Sequence, residues 1–168
     1  MSFTVPIDFS APLDFISYFK DLARRHTEIP QTDEQPAFAA FDPWQFEELS
    51  SYNLAFPAVL VAHEEGNVID KKADNLIDNI DASFIIADQV TMNDFDQQNQ
   101  VLDKCKAIGK DFIRRIREDK ADGKVQGFLL DDLEYMKVGP MLDNKYGYQF
   151  NFTIQAPWSL IERDVWQA

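Results

Sequence analysis

The sequence predicts a single α+β domain, a mostly antiparallel sheet with one long helix and an N-terminal helix packed on one face. Three observations carry that expectation. Apolar residues recur at helical spacing over 11–26 and again over 92–119. Tyr148, Phe150, Phe152 and Ile154 alternate without fault against Gln149, Asn151, Thr153 and Gln155, as a half-buried strand requires. The remaining connections are short and turn-like, and no linker, internal repeat or low-complexity tract divides the chain. The 168 residues are read as one domain, with an extended arm at 1–9, a core at 10–157 and a tail at 158–168.

In order along the chain, Phe3, Val5 and Ile7 alternate around Pro6, which suits a strand or strap better than a helix. Ser10 is the expected N-cap and Pro12 sits where a first helical turn tolerates it. Leu13, Ile16, Phe19, Leu22 and Ala23 form the stripe of the first helix, closed by Arg24, Arg25 and His26 at the negative end of its dipole. Residues 27–36 read as a polar loop, Ala37–Phe41 as a short strand, and 42–56 as a loop dense in aromatics, including Trp44, Phe46, Tyr52 and Phe56. Pro57–His63 reads as a buried strand, Glu64–Asn67 as the turn after it, and Leu76–Val90 as a long second strand. Phe84–Ala87 is apolar on both faces of that strand, a pattern suited to contact with a neighbouring chain.

Thr91 and Asp94 have the spacing of a capping box ahead of the long helix. Its stripe is Phe95, Leu102, Cys105, Ile108, Phe112, Ile113 and Ile116, with Gly109 placed for a bend or a close contact. Phe128–Val138 holds one or two strands, Gly139-Pro140 punctuates them, and Asp143–Gly147 is a turn into the last strand, which Pro157 ends.

Composition narrows function. Apolar residues make up 45% of the chain and fourteen are Phe, enough for a sizeable core. Sixteen Lys and Arg against twenty-nine Asp and Glu give a net charge of −13. Such a surface repels phosphate backbones and anionic membranes, so neither general nucleic-acid binding nor membrane association is expected. Met1–Asp8 lacks the basic and long apolar regions of a signal peptide, and one cysteine suits a reducing compartment.

The residues offer little chemistry. His63 has no nucleophile motif beside it, and Cys105 falls on an apolar stripe, where a thiol behaves as a small hydrophobe. Asp70, Asp74, Asp78 and Asp81, with Asn75 and Asn79, lack the spacing of a calcium loop; Asp131, Asp132 and Glu134 are read as solvated acids. No phosphate loop, serine elbow or zinc spacing is present, so no catalytic residue, cofactor or metal is expected. What stands out is contact chemistry. Arg114, Arg115 and Arg117 cluster with Lys110 late in the long helix, where a helix C-terminus favours cations and where an acidic patch of another copy would also be attracted. Trp158 and Trp166 mark the tail. Phe3, Val5, Ile7, Arg114, Arg115, Arg117, Trp158 and Trp166 are therefore the candidate inter-subunit contacts.

An N-terminal helix, a hairpin of long strands (57–63 and 76–90), a long helix running from Asn93-Asp-Phe95 to Lys110-Asp-Phe-Ile-Arg-Arg-Ile116, and a final strand Gly147–Ile154 follow one another. In that order of elements, over about residues 10–156, the chain resembles the tail terminator and tail-completion (neck) proteins of tailed bacteriophages. The resemblance implies a structural, non-enzymatic virion subunit assembled in the host cytoplasm. It implies a ring of identical copies, commonly a hexamer, that touches tail tube and connector proteins and passes DNA as non-specific cargo. The arm and the Trp-bearing tail lie outside it and would serve as inter-subunit straps. Two other readings remain open: an acidic inhibitor that mimics nucleic acid, and a small-ligand binder with a pocket lined by Phe41, Trp44, Phe46 and Tyr52.

Overall fold

The computed structural model describes residues 5–41, 52–72, 75–131, 133–141 and 143–158. Its elements are β1 (Ile7–Asp8), α1 (Pro12–Arg25), β2 (Phe38–Ala40), β3 (Ala58–Asp70), β4 (Leu76–Gln89), α2 (Phe95–Ala121), β5 (Val125–Gln126), β6 (Glu134–Met141) and β7 (Lys145–Pro157). A five-stranded sheet has the order β2-β3-β4-β7-β6, antiparallel throughout except for the parallel β2–β3 pair. The parallel pair β1–β5 forms a small second sheet. Both helices pack on one face of the large sheet, giving the expected α+β architecture.

The strands' two-residue period decides what lies under the helices. Val59 and Val61 of β3, Ile80, Ala82, Phe84 and Ile86 of β4, and Phe150, Phe152 and Ile154 of β7 meet Phe15, Phe19 and Leu22 of α1 and Cys105, Ile108, Phe112 and Ile116 of α2. Phe84 and Phe150 stack at 4.8 Å between centroids, and Phe84 lies 5.2 Å from Phe19. Gly109 makes the close contact its place in the stripe suggested: a Cβ there would overlap the Phe150 ring.

Several local expectations are corrected. The N-cap of α1 is Ala11, with no side-chain cap, because the Ser10 hydroxyl and N–H are both engaged by Asp8 Oδ1 (2.8 and 2.9 Å). The buried face of α1 is Phe15, Tyr18, Phe19, Leu22 and Ala23; Leu13 is exposed and Ile16 only half-buried. The larger aromatic pair Phe15 and Tyr18 claims the core and rotates the helix away from the Leu13–Ile16 phase. The turn expected at Glu64–Asn67 is a bulge instead: β3 shifts register between His63 and Gly66 and continues to Asp70. Gly66 permits this, since a Cβ there would sit 2.8 Å from the Asn79 carbonyl oxygen.

The cap of α2 lies one turn later than expected. Asp94, not Thr91, accepts from the Gln97 N–H (2.8 Å), while Gln97 Oε1 accepts from the Thr91 N–H (2.6 Å). Phe95, now the first helical residue, is 72% exposed rather than part of the buried stripe. Gly139-Pro140 does not end a strand; β6 runs through it with a register shift between Val138 and Met141, which an edge strand accommodates. The apolar second face of Phe84–Ala87 is covered within the chain: Ile85 and Ala87 form a satellite cluster with Leu54 and Leu60. Of the aromatic loop, 42–51 lie outside the described residues; Phe41 and Phe56 pack on that satellite cluster and Tyr52 is exposed.

Candidate functional site

No constellation in the described residues resembles an active site. His63 is held at a strand end, where Nε2–H donates to the Phe9 carbonyl (3.0 Å) and the ring meets Phe15 edge-on at 5.2 Å. It anchors the arm. His26 is pinned between the Glu28 N–H at Nδ1 and the Asp111 carboxylate, 3.3 Å from Nε2. Cys105 is buried, and burial pushes its thiol up to about 12, so it carries no thiolate near neutral pH. Among the described residues, no group of three or more His, Cys, Asp or Glu side chains is placed to hold a metal ion. An open groove of about 240 Å³ on the outer side of α1 is lined, among the described residues, by the exposed side chains of Ser17, Lys20, Asp21 and Arg24. No described helix is long and apolar enough to cross a membrane.

The candidate contact residues separate into two groups. Part of the arm is tied to its own chain. Ile7 pairs with Val125, its N–H reaches the Lys124 carbonyl (2.8 Å), and Phe9 is fully buried among Phe15, Tyr18, Phe19 and Phe128. Val5, by contrast, is 84% exposed. Phe3 and Trp166 lie outside the described residues. The Trp158 N–H donates to the Leu76 carbonyl (2.9 Å), so the tail is fastened to β4 up to that point, with the indole half exposed.

The arginine cluster is likewise divided. Arg115 is structural. Its guanidinium grips Asp119, 3% exposed, through Nε to Oδ2 (3.1 Å) and Nη2 to Oδ1 (3.0 Å). Tyr18 of α1 donates to the same Oδ2 (2.8 Å), and Lys124 Nζ stands 3.6 Å from Oδ1. The Oδ1 contacts are ion pairs without hydrogen-bond alignment, so charge rather than geometry satisfies that oxygen. Burial, then the hydrogen bond and charge of Asp119, push the Tyr18 hydroxyl far above its ordinary range, which keeps it a donor. Arg114 pairs with Asp111 along the helix. Arg117 is exposed.

Two surfaces escaped the sequence reading. One is the sheet face away from the helices, where Gln155 donates to Asn79 (2.9 Å) and Asn79 to Asn67 (3.3 Å) across three strands, and Gln149 donates to Asn151 (2.8 Å). The other is the outer edge of β6. There Tyr135 is 51% and Met136 53% exposed, and Lys106 Nζ of α2 lies 4.6 Å from the Tyr135 ring centroid, holding its hydroxyl below the usual range. Glu134-Tyr-Met-Lys-Val138 alternates too weakly to announce an edge; only the pairing order reveals it.

No protein-family model matches the chain, and no curated protein shows significant similarity to it.

Proposed function

We propose that this chain is a structural subunit of a bacteriophage virion, a tail terminator or neck/tail-completion protein that acts without catalysis and forms a ring at the head–tail junction. The observation that carries the reading is the sequence of elements. An N-terminal helix, a long hairpin (β3–β4), a long helix laid across the sheet (α2) and a closing hairpin (β6–β7) follow in the order on which the resemblance rests. The net charge of −13 supports it, because a lumen that passes DNA must not bind it. Among the described residues, the unpaired outer edge of β6 and the exposed Val5 give copies of the chain something to join by. In this reading the copies form a ring, commonly a hexamer, stacked between tail tube and connector proteins and assembled in the host cytoplasm.

Light scattering of the purified protein across a concentration series, with negative-stain images, tests the reading. Closed rings of about six copies are expected. A strict monomer at every concentration overturns it and favours an acidic, nucleic-acid-mimicking partner of a DNA-processing enzyme instead.

A further inference from the structure

The large sheet has two edges among the described residues, the three-residue β2 and the longer β6, and the longer edge is the outer side of β6. β6 pairs with β7 on one side, and no described strand flanks the other. The register shift between Val138 and Met141, with Pro140, blunts only its second half. Residues 134–138 retain a regular ladder with β7, from Glu134 opposite Asn151 to Val138 opposite Gly147. Tyr135 and Met136 stand exposed on opposite faces of that stretch. Such an edge is a template for one more strand.

We propose that this edge receives the N-terminal arm, residues 2–6, of a neighbouring copy. This rests on the ring reading above and names the contact that closes it. Three features select the arm. It enters β1 directly, so the chain is already extended at Ile7 where the arm begins. Phe3 and Val5 alternate with Ser2 and Thr4, placing two apolar side chains on one face of an added strand. Pro6, which has no N–H, ends an added ladder at the point where the chain returns to its own fold. The tail is the weaker occupant, because 159–168 carries Glu162, Arg163 and Asp164 in succession and lacks strand alternation.

The arm cannot serve its own edge. The Gln155 N–H donates to the Gly127 carbonyl (2.8 Å), so Gly127 lies level with Gln155 on β7, and Val125, the partner of Ile7, lies farther from β6 still. The stretch to be covered extends to Val138, level with Gly147. Eight residues along β7 span about 26 Å. The six residues ahead of Ile7, fully extended, reach at most about 21 Å. Moreover, β1 runs parallel to β5, so at Ile7 the chain enters from beyond Val125, on the side away from β6. The occupant is therefore the arm of another molecule, and the contact is head-to-tail, the type that closes rings.

The test uses the full chain with one cysteine on each side, Val5→Cys and Lys137→Cys, and a short flexible bismaleimide at low micromolar protein. Cys105 is buried and stays silent. A ladder of linked species up to the size of the ring is expected from the double variant, with neither single variant giving more than traces. Deletion of residues 1–5 should shift the light-scattering mass from ring to monomer while the circular-dichroism spectrum and melting temperature hold, since the fold is anchored from Ile7 onward. Rings that form without a ladder, or that survive the deletion, overturn the contact and leave the ring reading standing. A wild-type chain that is monomeric overturns both.

Discussion

On the helix side of the sheet, packing is aromatic and continuous. Phe84 makes ring contacts with Phe19, Phe150 and Phe152, Phe152 also meets Phe19, and all four are buried. On the opposite side Leu60 of β3 and Ile85 and Ala87 of β4 form a small apolar cluster with Leu54 of the segment before β3, and beyond it lies a row of amides, Asn67, Asn79 and Gln155. Neighbouring residues of β4 therefore differ in role by position parity alone. Phe84 and Ile86 belong to the main core, while Ile85 and Ala87 belong to the satellite. The lesson is that one face supplies cohesion and the other a flat, hydrogen-bonded surface whose composition is free to serve something else.

The largest difference between the faces should come from truncating their central side chains. Phe84→Ala leaves a cavity ringed by aromatics that cannot collapse, and about 3–5 kcal/mol of stability is expected to disappear from urea unfolding. Leu60→Ala, also fully buried but beside a small cluster under a loop, should cost less, about 2–3 kcal/mol. Equal losses would mean that both faces bear the fold alike. Smaller still, Asn79→Ala removes the centre of the amide row and should lower stability by only about 0.5–1.5 kcal/mol, read from the same transition.

The gentlest probe is Cys105, in the helix-side core. Its thiol stands at about 12 because the fold disfavours the thiolate, whereas the unfolded thiol ionises at its ordinary pKa. The stability it lends is complete below that ordinary pKa and declines as pH rises from there towards 12. A thiol reagent at pH 8 should leave the native chain unmodified and react fully in denaturant. The fall in stability between pH 8 and 9.5 should be shallower in Cys105→Ala. Prompt native reaction would show that the core opens along α2.

The contrast between the faces also explains what was legible in the sequence. Phe150, Phe152 and Ile154 were readable because each side of β7 keeps one character along its length. The phase of α1 was not: Leu13 and Phe15 both fit a helical stripe, and only the Phe9, Phe19 and Phe128 rings decide in favour of Phe15 and Tyr18. Glu64–Asn67 looked like a turn because Gly and Asn are cheap in turns, yet the Gly serves a bulge whose need arises from the partner strand. Asp94 and Thr91 compete locally as caps, and the choice falls where Gln97 can answer both. Of the candidate contact residues, Val5 is exposed, while Arg115 is drawn inward by Asp119, a partner that no local pattern betrays. The β6 edge was invisible for a plainer reason: an edge is defined by the pairing order of the whole sheet, which no local pattern carries.

One small knot of bonds near the arm has a mechanical meaning. Ile7 donates to the Lys124 carbonyl, the Lys124 N–H donates to the Asp119 carbonyl, and the Asp119 carboxylate receives Tyr18 from the helix that the arm leads into. The root of the arm, the first helix and the end of the second are thus closed into a loop. A pull on the residues ahead of Ile7 runs along the strand axis and loads the β1–β5 hydrogen bonds in shear, all together, rather than peeling them one by one. With Phe9 buried beneath, such a load passes into the aromatic core rather than stopping at the terminus.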